Sequence, residues 1–104
     1  MNRTLYLERL NSIFDECLAI ANSKNSDYAK DEDPFANFKL SELIANVPTE
    51  DGIFIRMLDK VSRIGQLLHK EAKVDDERLE DTVMDLINYT AILKVYLEQK
   101  NSTK

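Results

Sequence analysis

Residues 76–98, DERLEDTVMDLINYTAILKVYLE, decide the fold. At helical period, Leu79, Val83, Leu86, Ile87, Thr90, Ala91, Leu93, Val95 and Leu97 cover most of the circumference from Val83 onward, which predicts a central helix with little surface left for water. Glu77, Asp81, Asp85 and Asn88 recur at steps of four, four and three, so they align as one acidic stripe running into the apolar section. Like charges one turn apart destabilise a helix by about 0.2–0.5 kcal/mol, and by more when buried, so a cation, an arginine or a metal must offset them. Asp85 and Asn88, flanked by Met84, Leu86, Ile87 and Tyr89, are expected to belong to a functional site. Asp76, Glu77 and Glu80 read instead as solvated or paired with Lys and Arg.

The rest of the chain fits around such a helix. With 104 residues, two glycines and two prolines, it is expected to form an all-α fold, a small bundle of three long helices plus short helical turns. The expected layout is a single helical domain over 1–99 and a frayed tail over 100–104, completed by a homo-oligomer that covers helices too apolar to satisfy one another. A formal net charge of −5 argues against general nucleic-acid binding, so any anionic ligand must be held locally. No apolar run approaches the roughly 18–20 residues of a membrane span, which predicts no membrane partner. Cys17 is the single cysteine and no leader pattern opens the chain, so a cytoplasmic protein is expected.

Taken in order, Leu7, Leu10, Phe14, Cys17, Leu18 and Ala21 mark a first amphipathic helix from about Thr4 to Ser23, with Cys17 on its apolar side and without a base to activate it. Lys24 to Asn37, KNSDYAKDEDPFAN, breaks the periodicity and reads as a long polar loop bearing Lys24, Asn25, Asp27, Tyr28 and Asn37 as candidate ligand contacts. Short helical turns are expected from Pro34 and from Ser41 to Asn46, before Val47-Pro48 imposes an extended step. Thr49 reads as an N-cap ahead of Glu50 and Asp51, and Ile53, Met57, Val61, Ile64 and Leu68 mark a second long helix to about Lys70. On another face of that helix Arg56, Asp59, Lys60 and Arg63 gather. The linker to the last helix is short, so this cationic face and the acidic stripe are expected to oppose one another along an αα-hairpin. Asp75 or Asp76 is the expected cap of the last helix. His69, at the helix end, suits the C-terminal dipole rather than catalysis.

Together these residues have the chemistry of a metal-phosphate site. Asp59, Asp81 and Asp85 offer oxygen ligands suited to Mg²⁺, which takes one or two carboxylates plus water and substrate phosphate. Lys24, Lys60 and Arg63 suit phosphates, Tyr28, Phe35 or Phe38 a base, and Asn25 or Asn88 its edge or the sugar.

KNSDYAKDEDPFANF, GIFIRMLDKVSRIGQLL and ERLEDTVMDLINYTAIL, three ordered blocks between Lys24 and Leu97, resemble the nucleotide modification associated domain family of small phage and bacterial proteins. That family is similar to the all-α nucleoside triphosphate pyrophosphatases of the MazG and dimeric dUTPase type. The resemblance implies a MazG-like helical bundle in a dimer or larger homo-oligomer, in the host cytoplasm if phage-encoded. It also implies acidic residues on two helices that hold Mg²⁺ while water attacks a nucleotide phosphate. Asp81 and Asp85 resemble the acidic pair of the last metal-binding helix. The preceding helix departs from the pattern: Arg56-Met57-Leu58-Asp59 carries one carboxylate where two are expected. Three functions are therefore expected as alternatives. The first is an Mg²⁺-dependent nucleotide pyrophosphatase with Asp59, Asp81 and Asp85 as ligands and catalytic residues. The second is a nucleotide-binding module without turnover, using the same cations. The third is an interaction protein whose stripes pack an oligomer.

Overall fold

A computed structural model describes residues 1–29, 33–70 and 76–102, without the side chains at 25–29 and 76–77. Among the described residues 89% are helical and none lies in a strand. The helices are α1 (Arg3–Ala29), α2 (Ala36–Ala45), α3 (Thr49–Leu68) and α4 (Asp76–Ser102). They fall into two compact units, Met1–Pro34 and Phe35–Lys104.

The first unit is α1. Asn2 caps it: its Oδ1 accepts from Leu5 N–H at 2.9 Å, one of the donors that a helix start leaves without an intrahelical partner, and its carbonyl takes the first helical bond, from Tyr6 N–H at 3.0 Å. The helix does not stop near Ser23 but continues to Ala29, so the expected polar loop is shorter than its composition predicted. Asn, Ser and Asp each cost only a few tenths of a kcal/mol in a helix interior, and adding a residue to an existing helix is far easier than nucleating one. No glycine or proline intervenes before Pro34 to break it. Cys17 is buried at 4% exposure, as its place on the apolar side predicted, and Leu7, Phe14 and Leu18 are exposed.

In the second unit α3 packs against both α2 and α4. This reverses the sequence expectation, in which residues 76–98 were the central helix. The fully buried Thr49 and Ile53 both lie on α3. Along α4 Thr82 is buried, whereas Val83, Val95 and Leu97 remain exposed. Burying Ile53 contributes about 2–3 kcal/mol.

The two turns expected around Pro34 and Ser41 merge into the single helix α2. Its C-terminus is closed by Asn46 in the left-handed region, at φ 56° and ψ 34°, a conformation asparagine tolerates better than most residues. Asn46 N–H donates to Glu42 O at 3.2 Å and Val47 N–H to Ser41 O at 3.1 Å, a nested pair that satisfies two terminal carbonyls.

Pro48 then begins α3, with φ −52° and ψ 144° and its carbonyl accepting from Gly52 N–H at 3.0 Å. Thr49 is therefore the first helical residue and not the expected N-cap. Its Oγ1 is buried without a hydrogen-bond partner among the described residues, and its N–H is taken by Glu42 Oε1 at 2.8 Å. A carboxylate from the preceding helix thus supplies the cap, which a local sequence rule does not anticipate. Where the corner closes, α2 and α3 touch: a Cβ at Gly52 would stand 2.6 Å from Ser41 Oγ.

At its far end α4 runs through Ser102, beyond Lys100, where polar composition predicted fraying. Lys100 forms an ion pair with Glu50 of the first turn of α3.

Candidate phosphate-binding site

The seam between α3 and α4 carries the polar groups that the sequence singled out. Three contacts set its register: Glu50 with Lys100, Lys60 with Asp85, and a cavity that brings Arg63 and Lys70 together with Arg78. Residue numbers rise along α3 as they fall along α4, so the two helices are antiparallel. This is the expected hairpin, with a cationic face set against the acidic stripe.

Midway along the seam, Lys60 Nζ lies 3.6 Å from Asp85 Oδ2, both side chains about one quarter exposed. The partial burial strengthens the attraction over that of a fully solvated pair, and it answers what offsets Asp85 on α4. Nearer the start of α3, the Arg56 guanidinium carbon stands 4.8 Å from the centroid of the Phe38 ring, a cation–π contact. The Phe38 ring also meets Tyr89 edge to face, with centroids 6.3 Å apart and planes at 87°. Phe35 is buried and meets Tyr96 in the same way at 5.2 Å. That contact places Phe35 in the packing of the unit and corrects its expected role as a base-stacking ring.

At the other end of α3 a cavity of about 410 Å³ opens, lined by Asp59, Ser62, Arg63, Gln66 and Leu67, by Lys70 just past the helix, and by Arg78 of α4. Small-molecule sites commonly run from about 300 to 1,000 Å³, so the volume suits a small ligand. Among the described residues three cations and one carboxylate line it, all of them exposed, in a chain whose net charge is −5. Ser62 and Gln66 add uncharged donors one turn apart. Such a wall accepts an anion, and the two arginines present planar forks that match phosphate oxygens. Of its members the sequence reading named Asp59 and Arg63 and missed Ser62, Gln66, Lys70 and Arg78. The signal for Arg78 was available: it opens the helix facing α3 across a short linker.

Asn37 and Asp81 are exposed, Asn88 is partly exposed, and Lys24 is exposed on α1, in the other unit. The side chains of Asn25, Asp27, Tyr28 and Glu77 lie outside the described residues, as does Asp75. Among the described residues no group of three or more His, Cys, Asp or Glu side chains is gathered as a metal ion would require. Asp59, Asp81 and Asp85 do not form such a set: Asp59 sits among the cavity cations and Asp85 is paired with Lys60.

Two shifted groups lie at the start of α3. The hydrogen bond from the Lys100 ammonium holds the Glu50 carboxyl below its ordinary value, helped by a bond from the Glu50 backbone and opposed by burial. The same bond raises Lys100. In α1, burial first and the Glu16 carboxylate second push the Cys17 thiol up, away from the thiolate that nucleophilic chemistry uses.

No family model, curated protein or solved structure matches this chain. Among the described residues no helix is long and apolar enough to cross a membrane.

Proposed function

We propose that the chain binds a nucleotide or nucleotide-derived small molecule through its phosphates, at the cavity between α3 and α4. The observation that carries this reading is the gathering of Arg63, Lys70 and Arg78 around a cavity of about 410 Å³ in an otherwise acidic chain. Exposed cations on one wall attract a phosphate, and they do so more strongly at low salt. Arg56, over the Phe38 ring that also meets Tyr89, lies seven residues before Arg63 on α3, roughly 10 Å of helix. This spacing suits a ligand with phosphates at one end and a planar ring at the other. The resemblance of the three sequence blocks to nucleotide-handling proteins points the same way.

Binding without turnover is the preferred form of the reading. Hydrolysis of the pyrophosphatase type needs Mg²⁺ on converging carboxylates, and the described residues supply Asp59 at the cavity with Asp85 engaged by Lys60.

The test is equilibrium binding of nucleoside mono-, di- and triphosphates and inorganic pyrophosphate, with and without Mg²⁺, followed by chromatography of the recovered ligand. Affinity should rise with phosphate number, fall with salt, and drop tenfold or more in Arg63→Glu and in Arg78→Glu while helicity is unchanged. Recovery of intact nucleotide supports the binding module. Conversion to monophosphate and pyrophosphate with Mg²⁺ would establish the enzyme instead. Equal binding by wild type and both variants, or none at millimolar ligand, removes the cavity from consideration.

A further inference from the structure

The cavity is polarised along its length. Its α3 wall begins with the carboxylate of Asp59, and the cations Arg63 and Lys70 come after it. Lys60 meets Asp85 across an antiparallel hairpin, so Arg78, which precedes Asp85, stands beside the part of α3 that follows Lys60, at the cationic end. Asp59 thus lies roughly 6 Å of helix before Arg63 and roughly 4.5 Å after Arg56, whose guanidinium stands over the Phe38 ring. A carboxylate so close to a phosphate-binding wall weakens it unless the ligand brings something for the carboxylate to hold. Among the described residues nothing engages Asp59: Arg63 follows at one-turn spacing, the order that favours a helical ion pair, yet no pair forms, and the neighbouring Lys60 is committed to Asp85.

An ionised carboxylate only accepts hydrogen bonds, so its complement on a ligand is a donor. We infer that Asp59 reads the sugar, accepting from ribose hydroxyls while Arg63, Lys70 and Arg78 hold the phosphates. The inference rests on the nucleotide reading of the cavity and narrows its ligand class to ribonucleotides over 2′-deoxyribonucleotides. The order along α3 agrees with the order within a nucleotide: ring contacts at Arg56, the acceptor at Asp59, cations from Arg63 onward. Hydroxyl-to-carboxylate bonds are charge-assisted, and acidic residues hold ribose hydroxyls in dinucleotide-binding folds in the same way. A 2′-deoxy ligand brings one donor fewer while its phosphates meet the same repulsion from Asp59. Because Asp59 is exposed, water replaces the missing hydroxyl, which limits the preference to about five- to tenfold, far below that of a buried hydroxyl-reading site.

The test is equilibrium binding of ribo- and 2′-deoxyribonucleoside triphosphates of matched base, with inorganic pyrophosphate as the sugar-free probe, to wild type, Asp59→Ala and Arg63→Glu. Wild type should favour the ribo form about five- to tenfold. Asp59→Ala should bring the two sugars within twofold of each other while binding pyrophosphate as well as wild type or better, since a negative charge has left the cavity. Alanine is the better helix former, so circular dichroism of this variant should stay helical. Equal wild-type affinity for the two sugars, with pyrophosphate bound and then lost in Arg63→Glu, overturns the sugar reading and leaves the phosphate cavity standing. A preference that survives in Asp59→Ala overturns it too, as does one that a metal chelator abolishes, which would put a metal ion between carboxylate and ligand. Failure of wild type to bind any of these phosphates removes both readings.

Discussion

Gly52→Ala tests the packing of α2 on α3 with opposing terms of known size. On an open helix surface the change would stabilise by about 1 kcal/mol, because alanine is the better helix former. Here the new Cβ would lie 2.6 Å from Ser41 Oγ and 3.2 Å from Ser41 Cβ. Rotation of Ser41 about its first side-chain torsion can move Oγ away, but that hydroxyl sits 3.0 Å from Phe38 O and 3.3 Å from Val47 O. Leaving both carbonyls costs about 1 kcal/mol. Rotation does nothing for the Cβ–Cβ contact, so α2 must also shift by a few tenths of an ångström, and overpacking of this kind costs about 1–3 kcal/mol. The net expectation is a loss of about 1–3 kcal/mol, read as a drop in thermal midpoint of roughly 5–15 °C by far-ultraviolet circular dichroism. Ser41→Ala in the same chain removes Oγ but keeps Cβ, so it should recover only the hydroxyl's part of the loss, a coupling of about 1 kcal/mol in a double-mutant cycle. If Gly52→Ala raises the midpoint, α2 does not sit on α3 at this point and the description of the corner is wrong.

Asp85→Asn should lower the urea midpoint in metal-free buffer by the equivalent of about 0.5–1 kcal/mol, since the Lys60 pair is only partly solvated, and added salt should shrink the difference. An unchanged or raised midpoint would mean that Asp85 is a strained site carboxylate and not a structural partner. Asn46→Ala should cost about 1 kcal/mol by forcing a less tolerant residue into the left-handed conformation, whereas Asn46→Gly should be neutral or slightly stabilising; equal behaviour of the two would refute the cap. The Glu50–Lys100 pair predicts a loss of stability at both ends of the pH scale. Glu50 is depressed, so its contribution is complete above the unfolded value near pH ~4.3 and disappears as pH falls through its lower folded value. Lys100 is raised, so its contribution is complete below about pH 10.4 and disappears as pH climbs through its folded value. Thermal midpoints of wild type and Glu50→Gln should accordingly differ most at neutral pH and converge in acid; a constant offset across that range would break the assignment.

What the sequence disclosed follows the range of the interactions involved. Helix positions and the α3–α4 hairpin were legible because apolar spacing and a short linker act locally. The facing of Lys60 by Asp85 followed from two stripes once the helices were antiparallel. Thr49 misled because its N-cap signature is local whereas its N–H partner, Glu42, comes from the preceding helix. Residues 76–98 looked central because apolar residues surround that helix. Periodicity records how much surface a helix offers, however, and not how closely its neighbours pack, and the fully buried Thr49 and Ile53 lie on α3, whose backbone both α2 and α4 approach. Lys70 and Arg78 escaped notice since they sit apart in sequence and meet only when the hairpin closes. Lys24 to Ala29 read as loop by composition, yet continuation of an existing helix outweighed weak residue preferences.

The bond from Thr49 N–H to Glu42 spans seven residues, and the Ser41–Gly52 contact eleven, whereas the Glu50–Lys100 pair spans fifty. Loops of about ten residues close in roughly 10–100 ns, so the α2–α3 corner is kinetically cheap to assemble before the distant end of α4 is found. Glu42 thereby joins the fraying of one helix to the first turn of the next. The Thr49 amide should exchange its hydrogen with solvent only when the whole corner opens, as one cooperative step.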